Sequence, residues 1–156
     1  MMQISNKFYN LLQLFEGLEL RAYKDSKGIW TIGIGTIRYP NGAMVKQGDV
    51  ITQAQAYEYM EYEVKDTVNR LNILLKGINV NQNQFDAIVS LTYNIGIGGF
   101  KRSSVYSAMK INTKDPKIEE YWLRWNKETK DGVKVPSKGL TNRRKKEYQL
   151  YNTPLS

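Results

Sequence analysis

The β-forming residues of this chain are confined to one early window, and helical periodicity occupies most of the rest. Between Arg21 and Val50, the residues Tyr23, Ile29, Trp30, Thr31, Ile32 and Ile34 are punctuated by the turn sequences DSKG and PNG, the pattern of a small antiparallel sheet. Before this window, Phe8, Leu11, Leu12, Phe15 and Leu18 fall at helical spacing behind a Ser5 or Asn6 cap. That predicts a first helix ending near Gly17 with Glu16 in its last turn. After the window, Thr52 and Gln55 form a capping box for a helix of about six turns, with Tyr57, Met60, Val64, Leu71 and Leu74 on one stripe and Gly77 as its stop. Shorter helices are expected behind Asn81 with Gln84, behind Ser103 or Ser104, behind Asp115 with Pro116 (the stretch PKIEEYWLRWNK), and behind Thr141. GIGG and KDGVKVPSKG read as loops between them. No strand–helix–strand alternation occurs, which argues against a doubly wound sheet and for an α+β fold.

The chain has 156 residues, enough to bury a core without metals or disulfides, and it contains no Cys and no His. Zinc-finger sites, Cys or His nucleophiles, Ser-His-Asp triads and redox motifs are thereby excluded. Catalysis would have to use carboxylates, hydroxyls, Lys or Arg, or a cofactor. The N-terminal MMQISNKFYNLLQLFEGL is broken by Asn, Gln and Glu, so neither a signal peptide nor a membrane span is expected there. The formal charge of +8 is uneven: residues 1–80 hold nine Lys/Arg against eight Asp/Glu, and residues 81–156 hold fourteen against seven. A basic second half favours a polyanionic partner, either nucleic acid, anionic lipid or an anionic cell-wall polymer. Its basic segments lack the interleaved aromatics of a stacking groove, so nucleic acid is not expected.

The stretch EGLELRAYKDSKGIWTIGIGT, residues 16–36, concentrates the chemistry. Its Gly-x-Gly lacks the third glycine of a dinucleotide loop and the Lys-Ser/Thr of a Walker loop. Its acids are better placed for another task. Glu16 at a helix end and Asp25 in a turn could face one another, and glycoside hydrolysis needs two such carboxyl groups, one to protonate the leaving oxygen and one to steer water or attack. Each residue also has an ordinary reading: Glu16 as a solvated helix residue, Asp25 as a turn starter, Thr31 as a strand former. Spacing alone leaves these alternatives open.

The same stretch resembles the signature of the phage-type lysozymes, the endolysins of glycoside hydrolase family 24, in which Glu-x8-Asp-x5-Thr forms the catalytic set. Here that pattern is Glu16, Asp25 and Thr31. SLTYNIGIGGFKRSS and GLTNRRKKEYQLY resemble further family segments in the same order. The resemblance implies one lysozyme-like catalytic domain over residues 1–156. It would comprise a β-rich lobe at about 17–52, a connecting helix at 53–76 and a helical lobe at 77–156 with helix 6–16 packed on it. Glu16 would be the general acid, and burial near apolar groups is expected for it. Asp25 would stabilise positive character on the sugar and, with Thr31, position the attacking water. An inverting route follows if that water fits between Asp25 and the sugar.

The resemblance further implies that Ile37, Tyr93 and Ser103 line the saccharide groove, with peptidoglycan as substrate and no metal or cofactor. After TIGIG the family usually has His where this chain has Thr36. A monomer without stable membrane insertion is expected. It would wait in the host cytoplasm and reach the wall through a separate, holin-type membrane lesion. The alternative is a noncatalytic wall-binding or virion-associated domain of the same fold. Lys138, Arg143, Arg144, Lys145 and Lys146 could add attraction to the anionic wall.

Overall fold

Local capping starts most of the helices where the sequence indicates. The computed structural model describes residues 1–155. Helix α1 spans Asn6–Glu16, strands β1 and β2 span Glu19–Lys24 and Trp30–Gly33, and α2 spans Gln53–Leu74. Helix α2 begins with the expected reciprocal box: the Gln55 amide donates to Thr52 Oγ1 at 3.1 Å and the Thr52 amide donates to Gln55 Oε1 at 2.9 Å. The remaining helices are α3 (Gln82–Ile95), α4 (Ile97–Arg102), α5 (Ser104–Ile111), α6 (Lys117–Leu123) and α7 (Lys138–Tyr151). Asn81 and Gln84 box the start of α3, and Ser103 caps α5.

Three segments depart from expectation. GIGG is largely helical: Gly96, at φ 89°, ends α3, and α4 begins at the next residue. The helix that opens behind Asp115 and Pro116 stops at Leu123, short of Lys127. KDGVKVPSKG is not a loop, because β3 (Lys127–Lys130) and β4 (Val133–Pro136) form an antiparallel hairpin around Asp131 and Gly132. Both turn residues have positive φ, 52° and 79°, the two-residue geometry for which Asp-Gly is preferred. Helix α7 then starts three residues ahead of Thr141, because Ser137 Oγ accepts from the Leu140 amide at 3.2 Å.

The chain forms two compact units, one of residues up to Phe8 together with those from Thr67 onward, the other of Tyr9–Asp66. In the first, α3 is buried along most of its length, from Asn83 to Thr92, and Phe85, Ile88, Leu91, Phe100, Val105, Met109, Ile118 and Trp122 lie in the core. Helix α7 joins this core by polar rather than apolar residues: its buried positions are Arg143, Arg144, Glu147 and Tyr151. The fully buried Glu147 carboxylate accepts from Ser90 Oγ of α3 at 2.5 Å and from Trp122 Nε1 of α6 at 3.2 Å. It also accepts from Arg143 Nε at 3.1 Å and Arg144 Nη1 at 2.6 Å. Arg144 additionally donates to the Trp125 carbonyl at 2.6 Å and to Asn94 Oδ1. A buried charge is tolerated only when its lone pairs are matched in this way. Arg143 and Arg144 are therefore internal struts, which corrects their expected role as wall-facing cations.

The first residues of the chain are tied to the same unit. The Met2 amide donates to Asn72 Oδ1 at 2.8 Å, and Asn72 Nδ2 donates back to the Met2 carbonyl at 3.0 Å. Buried Asp86 accepts from the Ser5 amide at 3.0 Å, from the Ser5 hydroxyl, and from Gln82 Nε2 at 3.0 Å. Burial pushes the Asp86 carboxyl above its ordinary range, against the opposing pull of the Ser5 and Gln82 hydrogen bonds and of Lys7.

The second unit packs Ala22, Ile32, Val45, Ile51 and Ala56 together, with Leu18, Trp30, Tyr39 and Tyr59 against them. Strands β1 and β2 pair antiparallel, Glu19 with Gly33, Tyr23 with Thr31 and Lys24 with Trp30, and the register shifts between Glu19 and Tyr23. Such an irregularity re-aims the side chains beyond it. Gly33, at φ 66°, brings β2 onto α2, since a Cβ there would lie 3.3 Å from Ala56 Cβ and from Ile51 Cδ1.

Two outcomes test this account. Glu147→Gln leaves two buried guanidinium groups without their anion and is expected to cost about 3–5 kcal/mol of unfolding free energy in urea denaturation. Asp86 has a raised carboxyl in the fold, so its protonated form is the one the fold favours. Its stabilising contribution is full below the ordinary carboxylate range of about 4 and is lost as pH rises through the raised value. The stability of the wild type relative to Asp86→Asn should therefore fall as pH increases from about 4, read as the difference between their thermal midpoints across pH.

Candidate active site

Four residues of the second unit, Glu16, Tyr23, Asp25 and Thr31, are set by three local devices. The first is the end of α1, closed by the Gly17 amide donating to the Gln13 carbonyl at 2.8 Å, which leaves Glu16 as the last helical residue. The second is the turn after β1. Asp25 Oδ1 accepts from the Lys27 amide at 2.8 Å and the Ile29 amide at 2.9 Å. The Asp25 amide and carbonyl bond to Ile29 and Gly28, both at 2.9 Å. One carboxylate oxygen is thus fixed by two backbone donors. The third is β2, where Thr31 is nearly buried at 4% exposure and its hydroxyl donates to the Ile29 carbonyl at 2.9 Å. With its proton committed, Thr31 Oγ1 is left as an acceptor.

Tyr23 connects these residues electrostatically. It pairs across the strands with Thr31, and its hydroxyl is pushed above the ordinary phenol range by burial first, then by the negative charges of Glu16, Glu19 and Asp25. All three acids thus bear on the Tyr23 phenol. The sequence reading treated Tyr23 only as a strand former. The available signal was its position near the end of β1, two residues ahead of the turn that carries Asp25.

Glu16 is exposed, contrary to the expected burial among apolar groups. The reason is local: at the end of α1 its carboxyl is flanked by the Ile32–Thr36 turn, where glycine presents no side chain to cover it. Gly35 has φ 75°, and a Cβ there would lie 3.1 Å from Glu16 Oε2 and 3.4 Å from Glu16 Cδ and Cγ. The turn is closed by reciprocal backbone bonds between Ile32 and Thr36, at 2.8 and 2.9 Å. Thr36 is fully buried, and its hydroxyl has no hydrogen-bond partner among the described residues.

The other expected site residues belong to both units. Ile37 belongs to the second unit and is 41% exposed, and Tyr93, on α3 of the first, is 38% exposed. Ser103 is buried in the first unit. Its hydroxyl donates to the Phe100 carbonyl at 2.7 Å and accepts from the Tyr106 amide at 3.1 Å, so both of its hydrogen-bonding functions serve the start of α5. No group of three or more acidic side chains is arranged to hold a metal ion among the described residues. No helix among them is long and apolar enough to cross a membrane.

Known proteins resemble this chain in sequence and in fold. The sequence model of the family described as phage lysozyme matches residues 13–147. The endolysin of Bacillus phage PZA is 40% identical over 154 residues, covering 97% of this chain and 56% of the relative. The chain thus spans little more than half of that relative's length. The endolysin of Acyrthosiphon pisum secondary endosymbiont phage 1 is 34% identical over 152 residues, covering 97% of this chain and 99% of the relative. Among solved structures, an endolysin from Escherichia coli O157:H7 phage FAHEc1 superposes with a TM-score of 0.86 at 43% identity, covering 97% of this chain and 94% of the other.

The close approach of Gly35 to Glu16 makes a direct test. Gly35→Ala places a Cβ at a left-handed backbone position and against the Glu16 carboxyl. It is expected to cost about 1–2 kcal/mol in thermal denaturation from the backbone alone, and in a crystal structure of the variant the Glu16 side chain should be displaced.

Proposed function

This chain belongs to the phage lysozyme family, and from that membership we propose that it is an endolysin muramidase. It hydrolyses the β-1,4 bond between N-acetylmuramic acid and N-acetylglucosamine in bacterial peptidoglycan and so lyses the host cell. The observation that supports the assignment to particular residues is geometric: within one compact unit, Glu16 ends α1 against the Gly35 turn and Asp25 is held by two backbone amides in the turn after β1. Two carboxyl groups of separate origin, one on a helix end and one in a turn, meet the requirement for an acid and a second carboxylate at one glycosidic bond.

Glu16 is the general acid. It delivers the proton to the leaving oxygen. Asp25, with Oδ1 fixed by two amides, uses its other oxygen to accept a hydrogen bond from the attacking water and to offset positive charge developing on the sugar. Thr31 donates its own proton to Ile29, so its oxygen accepts the second hydrogen of the same water. Water held by two acceptors has its lone pair directed at the anomeric carbon, and the bond breaks with inversion. Ile37 and Tyr93 contact the saccharide by apolar and stacking surfaces, and Ser103 contributes by fixing the start of α5.

The enzyme works as a monomer and needs no cofactor. It remains in the host cytoplasm until a separate membrane lesion admits it to the wall. Its charge of +8 favours adsorption to that anionic surface.

Turbidity clearance of purified peptidoglycan tests the assignment. Glu16→Gln and Asp25→Asn are each expected to slow clearing by about 100-fold or more, the scale of a lost general acid or water-orienting base, while retaining the wild-type melting temperature. Clearing by Glu16→Gln at the wild-type rate would remove the proposal. Proton NMR of the first product should show the α-anomer, the outcome of inversion at a β bond, with no anhydro-muramic ends.

A further inference from the structure

The first unit contains a cation-lined cavity that the hydrolytic residues do not use. It measures about 490 Å³ and is bounded by Asn94 and Ile95 at the end of α3, Arg124 and Trp125 after α6, Lys127 and Lys134 of the hairpin, and Leu140 and Arg144 of α7. That volume lies within the range of small-molecule sites. Four of its eight lining residues are cationic and none is acidic.

The hairpin register explains how the two lysines come to share it. Lys127 pairs with Pro136 and Thr129 with Lys134, so Lys127, Thr129 and Lys134 lie on one face. The intervening pairs, Glu128 with Val135 and Lys130 with Val133, lie on the other. The hairpin sorts its charges accordingly. Lys130 is neutralised by Glu128 at 3.4 Å on the far face, whereas neither Lys127 nor Lys134 has a carboxylate within salt-bridge distance among the described residues. Lys127 Nζ donates only to the neutral Asn126 Oδ1, at 2.6 Å. Arg124 lies against the Tyr121 ring, 5.2 Å from its centroid, and its bond to Glu120 at 3.2 Å is an exposed i,i+4 pair, which is weak and readily exchanged. Arg144 is held rigidly by Glu147, Asn94 and the Trp125 carbonyl. Trp125 supplies an apolar wall braced against Gly99, where a Cβ would lie 3.4 Å from the indole ring.

We propose that this cavity is an anion-binding subsite for a phosphodiester-containing polymer of the cell wall. The inference rests on the reading that the chain acts at the wall. Three accessible cationic heads on two segments, spread around one cavity, match a chain of repeated charges better than a single carboxylate. The flexible Lys127 and Lys134 ammonium groups can follow successive phosphates, while the Trp125 face packs on the intervening carbon units. Between Arg124 and Lys146 the chain carries nine Lys/Arg and two Asp/Glu, so the subsite lies in the most positive part of the molecule. Bound there, the polymer would hold the enzyme near its substrate and raise the local concentration of glycosidic bonds.

The test is calorimetric titration of the intact protein with inorganic polyphosphate and, in parallel, with poly-L-glutamate. Polyphosphate is expected to bind wild type about tenfold tighter than K127E/K134E, and the double variant should have a log–log salt slope shallower by about 2. K114E/K130E makes the same change in net charge away from the cavity and should remain within about threefold of wild type. K127A/K134A, which introduces no new charge, should show the same ordering with a smaller loss; its melting curve reports folding. Equal losses in K127E/K134E and K114E/K130E, or tighter binding of poly-L-glutamate than of polyphosphate, would overturn the inference. The titration involves no hydrolysis. A wild type that clears walls yet does not bind polyphosphate overturns only the subsite, and one that binds yet does not clear overturns only the muramidase reading.

Discussion

The helical unit depends on one buried carboxylate. Glu147 is the only acid on α7, a helix dominated by cations, and it gathers donors from α3, α6 and α7 itself. Without it, burying Arg143 and Arg144 would carry two guanidinium groups out of water with no anion to offset the loss of hydration. With it, a helix that lacks a broad apolar stripe can still dock on the core. Docking in turn fixes Trp125, whose carbonyl holds Arg144, and so shapes one wall of the basic cavity. A sequence with fourteen cations in its second half thus uses two of them internally and leaves the rest exposed.

The smaller unit solves a different problem, which is to hold the proposed site residues still around a short two-stranded sheet. It does so with backbone groups. Two amides fix one oxygen of Asp25, one carbonyl takes the Thr31 proton, and the reciprocal Ile32–Thr36 bonds close the turn beside Glu16. Main-chain partners are available at every residue and are as rigid as the turn that carries them, so no second layer of buried polar side chains is required. The glycine at position 35 has a specific use here, because any side chain would press on the Glu16 carboxyl.

Much of this was legible in the sequence, and the parts that were not have physical explanations. The helix starts at Thr52, Asn81 and Ser103 were readable because a cap is a contact between residues three apart. The β3–β4 hairpin was missed although Asp131-Gly132 is a strong turn signal, since the flanking Lys-rich strands lack the hydrophobic alternation that marks a half-buried sheet. Glu16 is singled out by resemblance to a family motif, but its exposure is not foreseeable from it, since burial depends on what the rest of the fold lays over the helix end. Ser103, a groove residue by resemblance, donates its hydroxyl proton to the Phe100 carbonyl and accepts from the Tyr106 amide, contacts that its motif does not reveal.

The sequence by itself determined the α+β class and the long helix, because these follow from periodicity and capping, which are local in the chain; Glu16, Asp25 and Thr31 are singled out there only by resemblance to a family motif. Only the tertiary structure decided which charges are structural and which are available. Arg143 and Lys145 are two residues apart with the same formal charge, yet one lies buried against Glu147 and the other is exposed. The difference comes from the direction each side chain takes on the helix and from what lies 53 or more residues away in the chain, such as Ser90 opposite Arg143. Long-range packing, unlike helix period or turn chemistry, leaves no mark in a local stretch of residues.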